Sequence, residues 1–422
     1  KLYLKDRVKE TLGLLYANNF PYRQFKTARN IRRSPLHNHL ETEGAVFGEL
    51  AGWERANWFA ISNQERKYIY NWKKQNWFEN HRKEHLAIRK NVGLIDMSSF
   101  GKIKVQGPNA CSFLQYLCSN DINLAKGQII YTQMLNQRGG VESDLTITKI
   151  DQNQFLLVVP TATIQRDISW LNKHKSTFNV VINDVTSSEA VILIMGPNSR
   201  KFLNSVSPND FSNENHPFGY AKEIEIGYGL ARAHRISYVG ELGWELFISA
   251  DQCCHIFEVL KNEGVNFNLK LCGMHALDSC RIEKGFKHFG HDITDEDHVL
   301  EAGLGFTVKL QKEDFLGKKA VLDVKRSGLH RRIFQFQLND PSLMLFHNEP
   351  IIRNGKIVSF LTSGNYGHYL GAAIGMGYIP CKDEKIEDIL NSNFEIEIAG
   401  TRHKAMISYK PLYDPLAQKI KA

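Results

Sequence analysis

Apolar and polar positions recur with two different periods along the chain, and the switch between them marks its elements. "KIKVQG" (102–107) alternates with a period of two and predicts a strand. "PNACSFLQYLCS" follows at helical spacing, with Pro108 near its start. "IIYTQML" and "DLTITKI" predict two strands around a turn from Asn136 to Ser143, the second beginning on Asp144. "QFLLVVP" is the next strand and "TATIQRDISWLNKHK" a long helix. Upstream, "HLAIRKNVGLIDMSSFG" predicts a helix that stops near Gly93 and gives way to a loop. Downstream, "LARAHRISYVGELGWELFIS" holds two strand-like stretches, followed by the helices "ADQCCHIFEVLKNEG" and "CGMHALDSCRIEKGF", the latter ending near Gly285. From about Arg331 short strands recur, and Arg353-Asn354-Gly355-Lys356 is a hairpin signal.

A weak internal repeat runs through this pattern. "KIKVQGPNACSFL" and "AVILIMGPNSRKFL" both read strand, Gly-Pro-Asn, then a helix carrying Phe-Leu. Two such units predict a pseudo-symmetric α+β core; neither contains the GxxxxGK[ST] of a phosphate loop. The organisation expected is an arm over residues 1–83, a core over 84–327 and a β-rich, barrel-like domain over 328–422. In the arm, "KDRVKETLGLLYANNF" puts Val8, Leu12 and Leu15 on one helix side, and Ser34-Pro35 reads as the cap and first turn of a short helix. Such an arm should wrap on the rest of the chain or on a partner.

Composition narrows the function classes. The 422 residues are 42% hydrophobic and 23% charged, ordinary for a folded protein of two or three domains. No apolar run is long enough to span a bilayer and no secretory signal is seen. Lys1 rather than Met opens the chain, which is read as a processed or excised piece of something longer. The net charge of +8 is uneven: residues 1–90 carry 18 Lys and Arg against 9 Asp and Glu. A basic segment interleaved with Trp53, Trp58, Trp72 and Trp77 is compatible with a nucleic-acid surface, but no nucleic-acid-binding motif accompanies it, and a domain-bridging arm is the reading adopted. Seven Cys without a CxxC point to reduced thiols. Among 16 His there is no HExxH, and His288, His291 and Asp292 read as a polar loop rather than a zinc site. GxSxG is absent, and no GxGxxG joins a strand to a helix in the first 60 residues, so no flavin or nicotinamide fold is expected in the chain itself.

Two acids at strand positions remain. Asp144 follows Gly139-Gly140 in "NQRGGVESDLTI", and Glu245 follows Gly240 and Gly243 in "SYVGELGWELF". If "GWELF" is a strand, Trp244 and Leu246 face one way and Glu245 the other. A carboxylate there is either solvated or buried against a bidentate donor such as a guanidinium or a 2-amino-4-oxopterin edge.

At these residues the chain resembles the glycine-cleavage T-protein (aminomethyltransferase) family, and within it the C-terminal, folate-binding half of dimethylglycine and sarcosine dehydrogenases. The matching stretches include "TARNIRRSPLHNHLETEGAVFGELAGWERANWF", "GQIIYTQMLNQRGGVESDLTI", "SYVGELGWELFI", "HALDSCRIEKGFKHFGHDIT" and "TSGNYGHYLGAAIGMGYI". The resemblance implies a three-lobed α+β fold with tetrahydrofolate in a central hole. It places Asp144 as the catalytic carboxylate near the folate nitrogens, with Tyr131, Tyr238 and Glu245 around the pterin and Glu245 at its amino edge. Arg281 matches a family arginine, while Leu277 stands where T-proteins often carry another. The implied activity is transfer of a one-carbon unit to tetrahydrofolate, forming 5,10-methylenetetrahydrofolate, with FAD on an upstream domain or partner subunit and the basic, Trp-rich arm as the seam. Folate and a flavin dehydrogenase domain or subunit are the partners implied; an oligomer is compatible with this, a membrane is not involved, and the mitochondrial matrix or bacterial cytoplasm is the expected compartment. Two alternatives stay open: a flavin-independent, tetrahydrofolate-dependent demethylase, and a non-catalytic subunit like the regulatory subunit of pyruvate dehydrogenase phosphatase. The Gly pair is expected to let backbone approach a flat ligand.

Overall fold

The computed structural model describes residues 1–61, 65–382 and 384–422. Among them, two sheets and a closed barrel account for most of the strands. The five-stranded sheet runs, in spatial order, Ile129–Leu135, Val141–Asp151, Gln154–Val159, Gly101–Gln106 and Val181–Asp184. The six-stranded sheet runs Ala221–Ile226, Gly229–His234, Gly243–Ser249, Glu189–Met195, Gly93–Asp96 and Lys270–Leu271. Their inner faces meet in one apolar cluster, where Leu156 and Val158 pack with Val191, Leu193 and Phe247. Their edges are joined by a bridge between Gln128 and Tyr220 and by the Ile129 amide on the Gly219 carbonyl at 2.7 Å. The outer faces are covered by helices Ala110–Leu117 and Ile164–His174 on the five-stranded sheet, and Ser199–Val206 and Cys253–Gly264 on the six-stranded one.

The internal repeat is real in space, one copy per sheet. Phe113 and Leu114 in the first copy and Phe202 and Leu203 in the second are fully buried. Gly107 and Gly196 share a φ near +136° (137 and 135), and a Cβ on either would strike a crossing carbonyl, that of Asn179 at 2.5 Å or Asn91 at 2.3 Å. The turn is glycine in both copies because a second segment crosses it at backbone distance.

The barrel closes from Arg331–Leu338 through Ala372–Pro380, Lys356–Gly367, Pro350–Arg353, Phe394–Ile398 and Thr401–Ser408 back to its first strand. Asn354 and Gly355 make its short hairpin with φ of 50° and 81°. The α+β class and the C-terminal barrel agree with the expectation from sequence.

Several elements differ from that expectation. "GLID" after helix Phe78–Lys90 is a central strand, Gly93–Asp96, not a loop. Residues 45–59 form a hairpin, Ala45–Leu50 against Trp53–Phe59, and Leu36, Leu40, Ala45 and Ala56 belong to the core cluster behind the six-stranded sheet. Ser34 does not cap the short helix His37–Thr42; its hydroxyl donates to Asp96 at 2.5 Å. Helix Leu2–Gly13 forms, but none of its residues is buried: Leu2, Leu4 and Leu12 stay exposed, as does Leu15 beyond its end. All seven cysteines are free, and no helix among the described residues is long and apolar enough to cross a membrane.

Candidate functional site

The site grows from the alternation of the two facing sheets. In the antiparallel pair Ile129–Leu135 and Val141–Asp151, Gln133 stands opposite Asp144 and Tyr131 opposite Thr146, so all four side chains share one face. That face is the inner one, because Leu145 and Ile147 point to the cluster under the covering helices. On the other sheet Trp244, Leu246 and Ile248 enter the outer core, which turns Glu245 and Phe247 inward.

Asp144 lies within the strand rather than at its start, since the strand already begins at Val141. Gln133 Nε2 donates to its Oδ1 at 2.9 Å. Burial pushes its pKa up to about 6, against the pull of Gln133, the Tyr131 hydroxyl and the Lys287 ammonium. Tyr131 is held through its carbonyl by Asn120 Nδ2 at 2.9 Å. Tyr238 donates its hydroxyl to the Lys287 carbonyl at 2.8 Å and stacks on Phe286, with ring centroids 6.1 Å apart. Burial and the charges of Asp278, Asp292 and Asp144 drive the Tyr238 hydroxyl pKa well up, although Arg281 opposes this, so it remains a donor at any ordinary pH. Tyr131, Asp144 and Tyr238 lie within electrostatic reach of one another.

Glu245 faces the inter-sheet space from the other sheet. It is 4% exposed, and burial alone pushes its pKa up to about 8. Among the described residues no side chain or backbone group hydrogen-bonds or ion-pairs with it, in contrast to Glu283, whose Oε2 receives Arg89 Nε at 3.0 Å. An apolar wall with one carboxylate open to an outside donor is what a flat heterocycle with an N–H edge requires.

Arg281 is placed differently. Its Nε donates to Asp278 Oδ1 at 2.8 Å, Nη1 to Asp292 Oδ2 at 2.5 Å and Nη2 to Ser363 Oγ at 2.9 Å. The side chain thereby ties helix Met274–Glu283 to the loop at Asp292 and to the barrel strand Lys356–Gly367, and reaches the site as a charge near Tyr238. Leu277 is buried in the inter-sheet cluster. The Gly pair has a protein partner. A Cβ on Gly140 would lie 2.0 Å from the Asp295 carbonyl oxygen, and one on Gly139 2.5 Å from the His298 ring. The close approach is to the segment 295–298, not to ligand space. Glu142, read as a turn residue, sits in the strand and pairs with Arg166 at 2.6 Å.

Gln133 and Lys287 were not singled out by sequence. Gln133 shares the alternation of "IIYTQML" with Tyr131, but its partnership with Asp144 depends on a hairpin register that a bulge at Met134/Leu135 shifts. Among the described residues no group of three or more His, Cys, Asp and Glu is placed to hold a metal ion; the His288 and His291 rings lie 4.8 Å apart in a loop.

Comparison with known proteins agrees with this architecture. Residues 36–312 match the GCVT N-terminal domain, 331–414 the glycine cleavage T-protein C-terminal barrel domain, and 1–34 the FAD dependent oxidoreductase central domain. The chain is 40% identical over 421 residues to 4-methylaminobutanoate oxidase (formaldehyde-forming) of Paenarthrobacter nicotinovorans, covering 99% of this chain and 50% of that protein. It is 32% identical over 464 residues to mitochondrial sarcosine dehydrogenase of Mus musculus, again 99% and 50%. The chain thus spans about half the length of these curated relatives. The crystal structure of glycine cleavage system aminomethyltransferase T from Bartonella henselae superposes with a TM-score of 0.78 at 25% identity, over 92% of this chain and 99% of that one. The chain belongs to the glycine-cleavage T-protein, or aminomethyltransferase, family.

Proposed function

We propose that the chain is the tetrahydrofolate-dependent one-carbon acceptor module of a flavin-linked amine dehydrogenase or demethylase. The observation that carries this reading is Glu245: a carboxylate 4% exposed, without a partner among the described residues, on a face shared with apolar residues and turned toward the sheet that bears Asp144. A 2-amino-4-oxopterin offers two adjacent N–H donors to such a carboxylate, and the residues present fit it. Bound tetrahydrofolate supplies the nitrogens that take up the one-carbon unit, giving 5,10-methylenetetrahydrofolate. Glu245 binds and orients the pterin. Asp144, oriented at Oδ1 by Gln133, receives a proton and stabilises positive charge beside those nitrogens. Tyr131 and Tyr238 flank the acid, and Arg281 holds the surrounding loop in place.

Oxidation of the amine belongs in this reading to a flavin domain or subunit. Support comes from the match of residues 1–34 to a flavin oxidoreductase central domain, and from helix Leu2–Gly13, whose exposed Leu2, Leu4 and Leu12 offer that partner an apolar surface. Calorimetric titration with tetrahydrofolate tests the proposal. Binding that is lost in Glu245→Ala and largely kept in Asp144→Ala is the expected result. No binding by the intact chain would overturn it.

A further inference from the structure

A buried polar atom without a hydrogen-bond partner stands beside Glu245. In the ladder between Gly229–His234 and Gly243–Ser249, His234 is directly opposite Glu245, so both side chains leave the sheet on its inner face, with Cβ atoms about 5 Å apart. His234 is fully buried and its ring packs on Phe247 with centroids 4.2 Å apart. Arg232 Nε donates to His234 Nε2 at 3.1 Å, while Arg232 Nη2 is itself held by Glu189 at 3.0 Å. A guanidinium can only donate, so Nε2 is the accepting nitrogen and the imidazole proton sits on Nδ1. That Nδ1 is buried and has no hydrogen-bond partner. The sheet therefore presents a carboxylate that accepts and, next to it, a fixed N–H that donates.

We infer that His234 Nδ1–H is a second recognition group for the heterocycle edge that Glu245 takes, and that it selects a 4-oxo over a 4-amino pterin. The inference rests on the folate reading above. Along its edge a 2-amino-4-oxopterin presents donor, donor, acceptor: the 2-amino group, N3–H and O4. Two carboxylate oxygens followed by an imidazole N–H are the complement. A 4-amino group in place of O4 sets a donor against the imidazole N–H and also turns N3 from a donor into an acceptor facing Glu245; a buried donor without an acceptor is costly. A site built around a polar group of its ligand rejects the analogue that lacks it far more strongly than a hydrophobic pocket rejects an extra methylene.

The test is titration calorimetry of the full chain with tetrahydrofolate and with its 4-amino counterpart, tetrahydroaminopterin. The intact chain should prefer the 4-oxo ligand by about tenfold or more. His234→Phe keeps the ring on Phe247 and removes the donor; the preference should then narrow by about threefold or more, to the part that Glu245 sets through N3. Should that variant not fold, Arg232→Leu at the half-buried rim frees the tautomer and must narrow the same preference. If His234 serves only to bond Glu245 or to pack, its loss weakens both ligands alike and leaves the preference unchanged. That result overturns the inference while the folate reading stands. Failure of tetrahydrofolate itself to bind the intact chain overturns both.

Discussion

Glu245 is a carboxylate that the protein itself leaves without a counter-charge, and this has measurable consequences before any catalysis. Its folded pKa, about 8, lies above the unfolded value near 4.5, so the folded state holds the proton across that window and stability falls as pH rises through it. Glu245→Gln should therefore stabilise the ligand-free protein by about 1–3 kcal/mol at pH 8 and by much less at pH 5, as read from urea unfolding at both values. Bidentate pairing with a pterin would ionise the group, so tetrahydrofolate binding at pH 7 should release up to about one proton, seen as a dependence of the calorimetric enthalpy on buffer ionisation and missing in Glu245→Gln. Asp144, at about 6, is ionised at neutral pH and becomes protonated as pH falls through 6. On the proposed function, one-carbon transfer should decline over that range, and Asp144→Asn should lower turnover about 10²–10⁴-fold while changing tetrahydrofolate affinity little. Both acids were legible from their place after glycines in strand-like stretches together with the family motifs. Gln133 was not, because a bulged register decides which residue faces Asp144.

At the scale of elements, the glycines before Asp144 serve packing. Residues 139–141 run beside 295–299, with the Val299 amide on the Gly139 carbonyl at 3.1 Å and the Val141 amide on the Asp297 carbonyl at 3.2 Å. Gly140→Ala drives a methyl into the Asp295 carbonyl and should destabilise the protein by about 1–3 kcal/mol, measured by urea unfolding, while loosening the hairpin that carries Asp144. Local periodicity was enough for elements that are long or strictly alternating, such as Lys356–Gly367 and Ile164–His174. It missed Gly93–Asp96 and the Ala45–Phe59 hairpin, since both are short and become strands through distant or bulged pairing: Leu94 pairs with Ile194 on one side and Leu271 on the other. Helix Leu2–Gly13 shows the converse, a correct period with no core behind it.

For the molecule as a whole, buried charges fasten the barrel to the two-sheet body. Arg281 compensates Asp278 and Asp292, and Thr362 on the barrel donates to Asp292 Oδ1 at 2.6 Å. Arg281→Leu would leave these carboxylates uncompensated and should cost about 3–5 kcal/mol, enough to lower the thermal midpoint by several degrees in a melting experiment. A second fastening joins Arg89 to Glu283 and Glu241, with the amides of Tyr369 and Leu370 on Glu283 Oε1 at 3.0 and 3.2 Å. These contacts, with His85, hold the Glu283 pKa down to about 2, below its unfolded value, so their contribution is complete above pH 4.5 and is lost as pH falls toward 2.

The strand Gly93–Asp96 carries one more consequence, for synthesis. It is hydrogen-bonded between Glu189–Met195 and Lys270–Leu271. A ribosome adding about 5–20 residues per second takes roughly 10–35 s to travel from residue 96 to residue 271. Throughout that time Leu94 and Ile95, destined for the two apolar clusters on either side of the sheet, have no finished surface to pack against. The sheet closes only when the far end of the core has left the exit tunnel.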